Sequence, residues 1–240
     1  MWMICKKEWQ QYFCSITGYL AIIVFLLLNG LILFVFPESN LLDFGYATIN
    51  SFFVTAPFIL LFFIPTITMR SLAEEYKTGT FELLKTLPIT PNNIVIGKFF
   101  GALLIVIAAL FPTIIYAVSI QSLSNVGGID IGATIGSYVG LILLAAVYTA
   151  IGICASSFTN NTVVAFIAGA FICFILFNGF AAISKLPVLK AGADYYIETL
   201  GIDAHYKSIS RGVVDLRDLI YFLGIITLFL SITQRNIAKR

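Results

Sequence analysis

Charge is what this chain has least of. Only 11% of its 240 residues are Asp, Glu, Lys or Arg while 60% are apolar, against about 25% and about 45–50% in a soluble domain. That excludes a soluble enzyme and makes the chain a membrane protein. A net charge of +2 is too small to mark a nucleic-acid surface, so no nucleic-acid partner is expected. The four cysteines, Cys5, Cys14, Cys154 and Cys173, contain no CxxC pair and read as free thiols rather than redox or metal chemistry. The only histidine, His205, falls in a hydrophilic segment and reads as a surface residue. Ligands for an intramembrane metalloprotease are therefore missing at membrane depth, and no catalytic, metal or directly bound cofactor site is expected.

What is abundant is long apolar sequence. Charge-free runs of spanning length lie at 19–36, 52–69, 99–120, 135–155, 162–183 and 219–233, and six spans of about 20 residues would use roughly 120 residues. The expected fold is an all-α membrane domain occupying residues 1–240, with six transmembrane helices. None of the runs holds Asp, Glu, Lys, Arg or His, which argues against an ion-driven carrier and favours energy delivered from outside the bilayer. Nine of the fourteen Lys and Arg residues fall at the two ends and in the loop between spans two and three. The other five all lie in the long segment 185–218, so both termini are expected to be cytoplasmic. Glu8 and Trp9 follow the first lysines, where a cleavable signal would have its apolar stretch, so the first span is expected to be retained.

Residues 1–17 form a further element. At helical spacing Trp2, Cys5, Trp9, Tyr12, Phe13 and Ile16 share about a 100° arc while Lys6 and Lys7 lie elsewhere. This is the pattern of an interfacial helix, with tryptophans at headgroup depth and lysines toward anionic lipid. Glycines at Gly97 and Gly101, and at Gly132, Gly136 and Gly140, mark close helix packing. Pro57, Pro65 and Pro112 are expected to kink spans two and three. Asn29, Thr55, Thr113, Tyr116 and Asn178 are uncharged polar residues within spans. They are candidates for a transport pathway or for helix–helix hydrogen bonds.

The loop 71–92 carries the most information. Gly79 interrupts a helix, Thr80 is placed to cap the next, Glu82 sits in its first turn, and Pro88 closes it. Thr90 and Pro91 then restart a helix as cap and first residue. The pattern Glu-Glu-x-x-x-Gly-Thr-x-Glu-Leu-Leu-x-x-x-Pro over residues 74–88 resembles the signature of ABC-2 type transporter permeases. It is most similar to the permease subunit of the gliding-motility-associated ABC transporter of Bacteroidetes, as is the run HYKSISRGVVDLRDLIYF at 205–222.

The resemblance implies a coupling helix that docks on a separate P-loop ATPase, with Glu74, Glu75, Gly79, Thr80, Glu82, Leu83, Leu84 and Pro88 as its surface. ATP and Mg would be handled by that partner. The stretch GTFELLKT at 79–86 fails as a phosphate-binding loop because Leu84 replaces the second glycine. The resemblance also implies export across a bacterial inner membrane and a second permease subunit, identical or different. Segment 185–218 is expected to form a lid over the exit. Rival readings are a drug, toxin or glycan exporter, and a non-transporting module that relays force to a periplasmic or second membrane component.

Overall fold

The computed structural model describes residues 2–36, 48–86, 90–124, 128–185, 194–212 and 215–239. Among them there is no strand. The helices are α1 (Trp2–Phe13), α2 (Ile16–Phe34), α3 (Asn50–Thr68), α4 (Ala73–Thr78), α5 (Thr80–Thr86), α6 (Pro91–Leu110) and α7 (Ile114–Leu123). They continue with α8 (Ile131–Phe158), α9 (Thr162–Phe174), α10 (Phe180–Ser184), α11 (Asp194–Thr199), α12 (Ile202–Ile209) and α13 (Leu216–Lys239). A 3₁₀ turn (Phe111–Thr113) joins α6 to α7, and a π turn (Ile175–Gly179) joins α9 to α10. Among the described residues six stretches are long and apolar enough to cross a bilayer: Ile16–Phe34, Asn50–Thr78, Pro91–Leu123, Ile131–Phe158, Thr162–Ser184 and Leu216–Lys239.

Several of these helices run past the charge-free windows, because a helix ends where its terminal groups find a cap and not where a charge appears. The third begins at Pro91, eight residues before Phe99, and so takes Lys98 into a spanning helix. The amphipathic start also differs from its pattern. The helix stops at Phe13, and Ser15 caps a separate α2, its Oγ accepting from Gly18 N at 3.1 Å. Ile16 therefore opens the first span instead of closing the interfacial helix. Cys5 is buried and Trp9, Tyr12 and Phe13 pack on the core, but Trp2 is 72% and Ile16 84% exposed.

α8 runs through the middle of the bundle and packs against α3, α6, α9, α12 and α13. Leu141, Leu144, Val147, Tyr148 and Ile151 are fully buried along it. α2, α9 and α13 form the periphery and turn Leu27, Ile167, Phe171 and Leu223 outward. The glycine stripes receive short non-spanning helices. A Cβ on Gly136 would lie 2.8 Å from Gly212 Cα and one on Gly140 2.9 Å from Ile209 Cγ2, so this face of α8 admits α12 and its following turn. Ser137 Oγ donates to Ser210 O at 2.8 Å in the same contact. Gly132 meets only its neighbour Asp130, at 3.4 Å. Gly97 is buried in α6, and a Cβ on Gly101 would come 2.8 Å from Glu8 Cβ. That stripe seats α1.

α3 runs as one unbroken helix through Pro57 and Pro65, and Pro112 coincides with a change of helix type. Pro57 has no N–H, so the carbonyl of Phe53 one turn earlier loses its helical donor. Tyr206 Oη of α12 donates to that oxygen at 2.7 Å. Burial pushes the Tyr206 phenol well above its ordinary pKa, which keeps it a donor. α12 thus fills the end of the bundle opposite Ser156, with Ile202, Tyr206 and Ile209 all buried.

A Gly136→Ala substitution places a methyl against the backbone of Gly212 and is expected to cost about 1–3 kcal/mol. It should lower Tm in detergent and speed hydrogen exchange in α12. Gly224→Ala, where nothing lies within 4 Å, should leave both unchanged.

Candidate functional site

The segment between spans two and three is a helical hairpin. Gly79 ends α4 in the left-handed region at φ 73°, where a side chain would be strained. Its carbonyl accepts from Glu82 N at 3.3 Å to start α5. Thr80 does not cap α5 as expected: it is the first helical residue, and its hydroxyl meets that of Thr78 at 3.0 Å. Thr90 does cap α6, accepting from Asn93 N at 3.4 Å, with Pro91 as first residue. Pro88 and the side chain of Leu84 lie outside the described residues.

The motif faces two ways. Phe81 turns inward at 5% exposure and packs edge-on against Tyr76, with ring centroids 4.8 Å apart. Glu82 and Leu83 face outward. Glu74 is half-buried, whereas the Glu75 side chain is only 12% exposed. Glu75 is not a solvated loop charge. Its Oε2 lies 3.0 Å from Lys98 Nζ and its Oε1 3.1 Å from Lys7 Nζ. Lys98, 1% exposed, also donates to Glu8 Oε1 at 2.7 Å and to Ser71 O at 2.6 Å. One ammonium therefore joins α1, the start of the hairpin and α6.

A second anchor comes from α8. Ser156 Oγ accepts from the N–H groups of Leu72 and Ala73 at 3.1 and 3.0 Å and donates to Met69 O at 3.1 Å. It supplies from another helix the cap that α4 lacks in its own sequence. Asn236 of α13 donates to Ser157 O at 2.7 Å beside it. Sequence reasoning missed Lys98, Glu8 and Ser156. Lys98 carried the one available signal, an ionisable residue directly abutting an apolar run.

The polar residues expected along a pathway make mostly local bonds. Asn29 Nδ2 donates to Phe25 O at 2.7 Å and Thr55 Oγ1 to Ser51 O at 2.9 Å, both within their own helices. Thr113 bonds Leu110 O and the Tyr138 hydroxyl, and Tyr116 Oη donates to Leu26 O at 3.1 Å. Of these five residues Asn29 and Asn178 each keep a buried polar atom without a hydrogen-bond partner among the described residues, Asn178 within the π turn.

His205 is not the surface residue its sequence suggested. Its Nε2 donates to Thr199 O at 2.8 Å, since a carbonyl can only accept, and its Nδ1 lies 2.6 Å from Oδ1 of buried Asp218. At that distance the two atoms are hydrogen-bonded. Tyr221 stacks on the imidazole at 3.9 Å and donates to Leu200 O at 2.5 Å. The pattern had placed Asp218 in the loop; it lies in the first turn of α13.

Removing the ammonium in Lys98→Met leaves two carboxylates together in a buried site, at an expected cost of about 3–5 kcal/mol. Thermal unfolding should show a large fall in Tm, with much of it recovered in the Lys98→Met/Glu8→Gln/Glu75→Gln triple variant.

A search of curated proteins gives no match. The family described as ABC-2 family transporter protein matches residues 37–236, from the segment after α2 to near the end of α13. Both the hairpin and α12 lie inside that match, whereas α1 and α2 precede it. The chain is a multi-pass membrane protein and belongs to this family of ABC-2 type permeases.

Proposed function

We propose that this chain is the transmembrane half of an ATP-driven exporter of a bacterial inner membrane, with both termini cytoplasmic. A separate P-loop ATPase docks on the outward face of α5, through Glu82 and Leu83, and that partner binds ATP and Mg. The observation that carries the reading is the anchoring of the hairpin. α5 presents an exposed face, while α4 behind it is fixed to α8 by Ser156 and to α6 and α1 by the Glu75–Lys98–Glu8 cluster. A push on α5 is therefore delivered to three helices as a rigid-body displacement. A second permease subunit, the same or different, completes the path.

The run at 205–222 supports placing the subunit in a gliding-motility complex. A second reading, force relay to a periplasmic partner with no translocated molecule, draws on the opposite end. There His205, Asp218 and Tyr221 tie α11 and α12 to α13, so a motion of α13 would carry exposed Tyr195 and Tyr196 with it.

Glu82→Arg should insert and fold normally but weaken assembly with the ATPase at least about tenfold, because a like or misplaced charge at a docking surface costs several kcal/mol. Glu75→Gln should still assemble yet lose much of the stimulated ATP hydrolysis, since its role is transmission. Unchanged partner binding and turnover in Glu82→Arg would overturn the docking assignment. A substrate trapped between two subunits would decide against force relay.

A further inference from the structure

A cavity of about 440 Å³ opens at the elbow between α1 and α2, closed on its other sides by the end of α3, the start of α4 and α6. Its charged lining is Lys7, Glu8, Arg70, Glu74 and Glu75. Lys7 and Lys98 engage Glu8 and Glu75. Among the described residues this leaves one cation and one carboxylate in the cavity without an ion-pair partner, Arg70 and Glu74. They do not pair with each other, and Arg70 reaches only Thr17 Oγ1, at 3.4 Å.

Ser71 and Tyr12 belong to the same lining, with their hydroxyl oxygens buried in the wall. Burial pushes the Tyr12 phenol up to about 12, so it remains a donor. Beyond this polar rim the walls become apolar at Ala21 of α2 and Ile105 of α6. The cavity is therefore amphipathic, and it sits where the apolar part of the third span gives way to the charged hairpin.

We propose that this cavity binds the headgroup of a zwitterionic phospholipid carrying a primary ammonium, phosphatidylethanolamine. The phosphate takes the Arg70 fork, which suits paired phosphate oxygens. The ammonium, with three N–H donors, pairs with Glu74. A net anionic headgroup would leave Glu74 unmatched, and a trimethylammonium group would offer it no hydrogen bond. The acyl chains leave along Ala21 and Ile105. A lipid in this place would brace the α1–α2 elbow against the hairpin.

The test is native mass spectrometry of the full chain in detergent, titrated with phosphatidylethanolamine, phosphatidylcholine and phosphatidylglycerol of identical acyl chains. Wild type should retain one phosphatidylethanolamine at least about tenfold more tightly than the other two, a difference of about 1.4 kcal/mol. Arg70→Ala should lose that retention, and Glu74→Gln should bring phosphatidylethanolamine and phosphatidylcholine to parity. Equal retention of all three lipids by wild type, or retention unmoved by Arg70→Ala, would overturn the proposal. Displacement of the lipid by millimolar inorganic phosphate would also overturn it, by showing a phosphate site rather than a lipid site. The measurement uses the subunit without an ATPase, so it succeeds or fails independently of the docking assignment.

Discussion

An ammonium taken out of water must be matched, and Lys98 is 1% exposed at the start of a spanning helix. In a low-dielectric setting an unpaired charge costs several kcal/mol, so the surrounding chain is arranged to meet this one. Glu8 can reach it only if α1 lies flat on α6, and α1 can lie there only because Gly101 has no side chain. Glu75 can reach it only if α4 folds back over the end of α6. That turn sends Glu75 and Phe81 inward and leaves Glu82 and Leu83 facing out. The face that α5 turns outward is thus decided by the demand of a buried charge one helix away.

The same logic of unsatisfied groups governs the other end of the bundle. There Pro57 frees a carbonyl inside α3, and Tyr206 meets it from α12. Ser137 meets the last turn of α12, and the His205–Asp218 pair ties α12 to α13. α8 touches both systems, through Ser156 at one end and Ser137, Gly136 and Gly140 at the other. Its 28 residues span about 42 Å at 1.5 Å per residue. The hairpin and α12 are held by opposite ends of one buried rod.

The spans were legible because each is a window of apolar residues with no competing signal. The hairpin was legible as punctuation, since Gly79, Thr90 and Pro91 each do one local backbone task that the sequence states directly. What could not be read was the direction each side chain takes. Glu75 and Glu82 look alike in the motif, and Lys7 and Lys98, both distant in sequence, separate their fates. Ser156 caps a helix more than eighty residues away from it, and no periodic pattern carries such a pairing. His205 was misread for the same reason. Its partner Asp218 lay just outside the window 219–233, and the cutoff that defined the span hid the contact.

These anchors constrain how an export path could form. If the hairpin moved α8 as a rod, α12 would travel with it, because its bonds to Phe53, Ser137 and Asp218 join it to α3, α8 and α13 at once. Opening by detaching α12 alone would break all three and expose the Phe53 carbonyl in an apolar setting, where each unpaired group costs several kcal/mol. The less costly seam runs along the periphery, where α2 and α9 meet the core largely through apolar contact. Van der Waals packing between apolar faces can be exchanged for lipid or for a second subunit at little cost. On the proposed function, the path therefore opens where this subunit meets its neighbour, with α3, α8, α12 and α13 moving as one body.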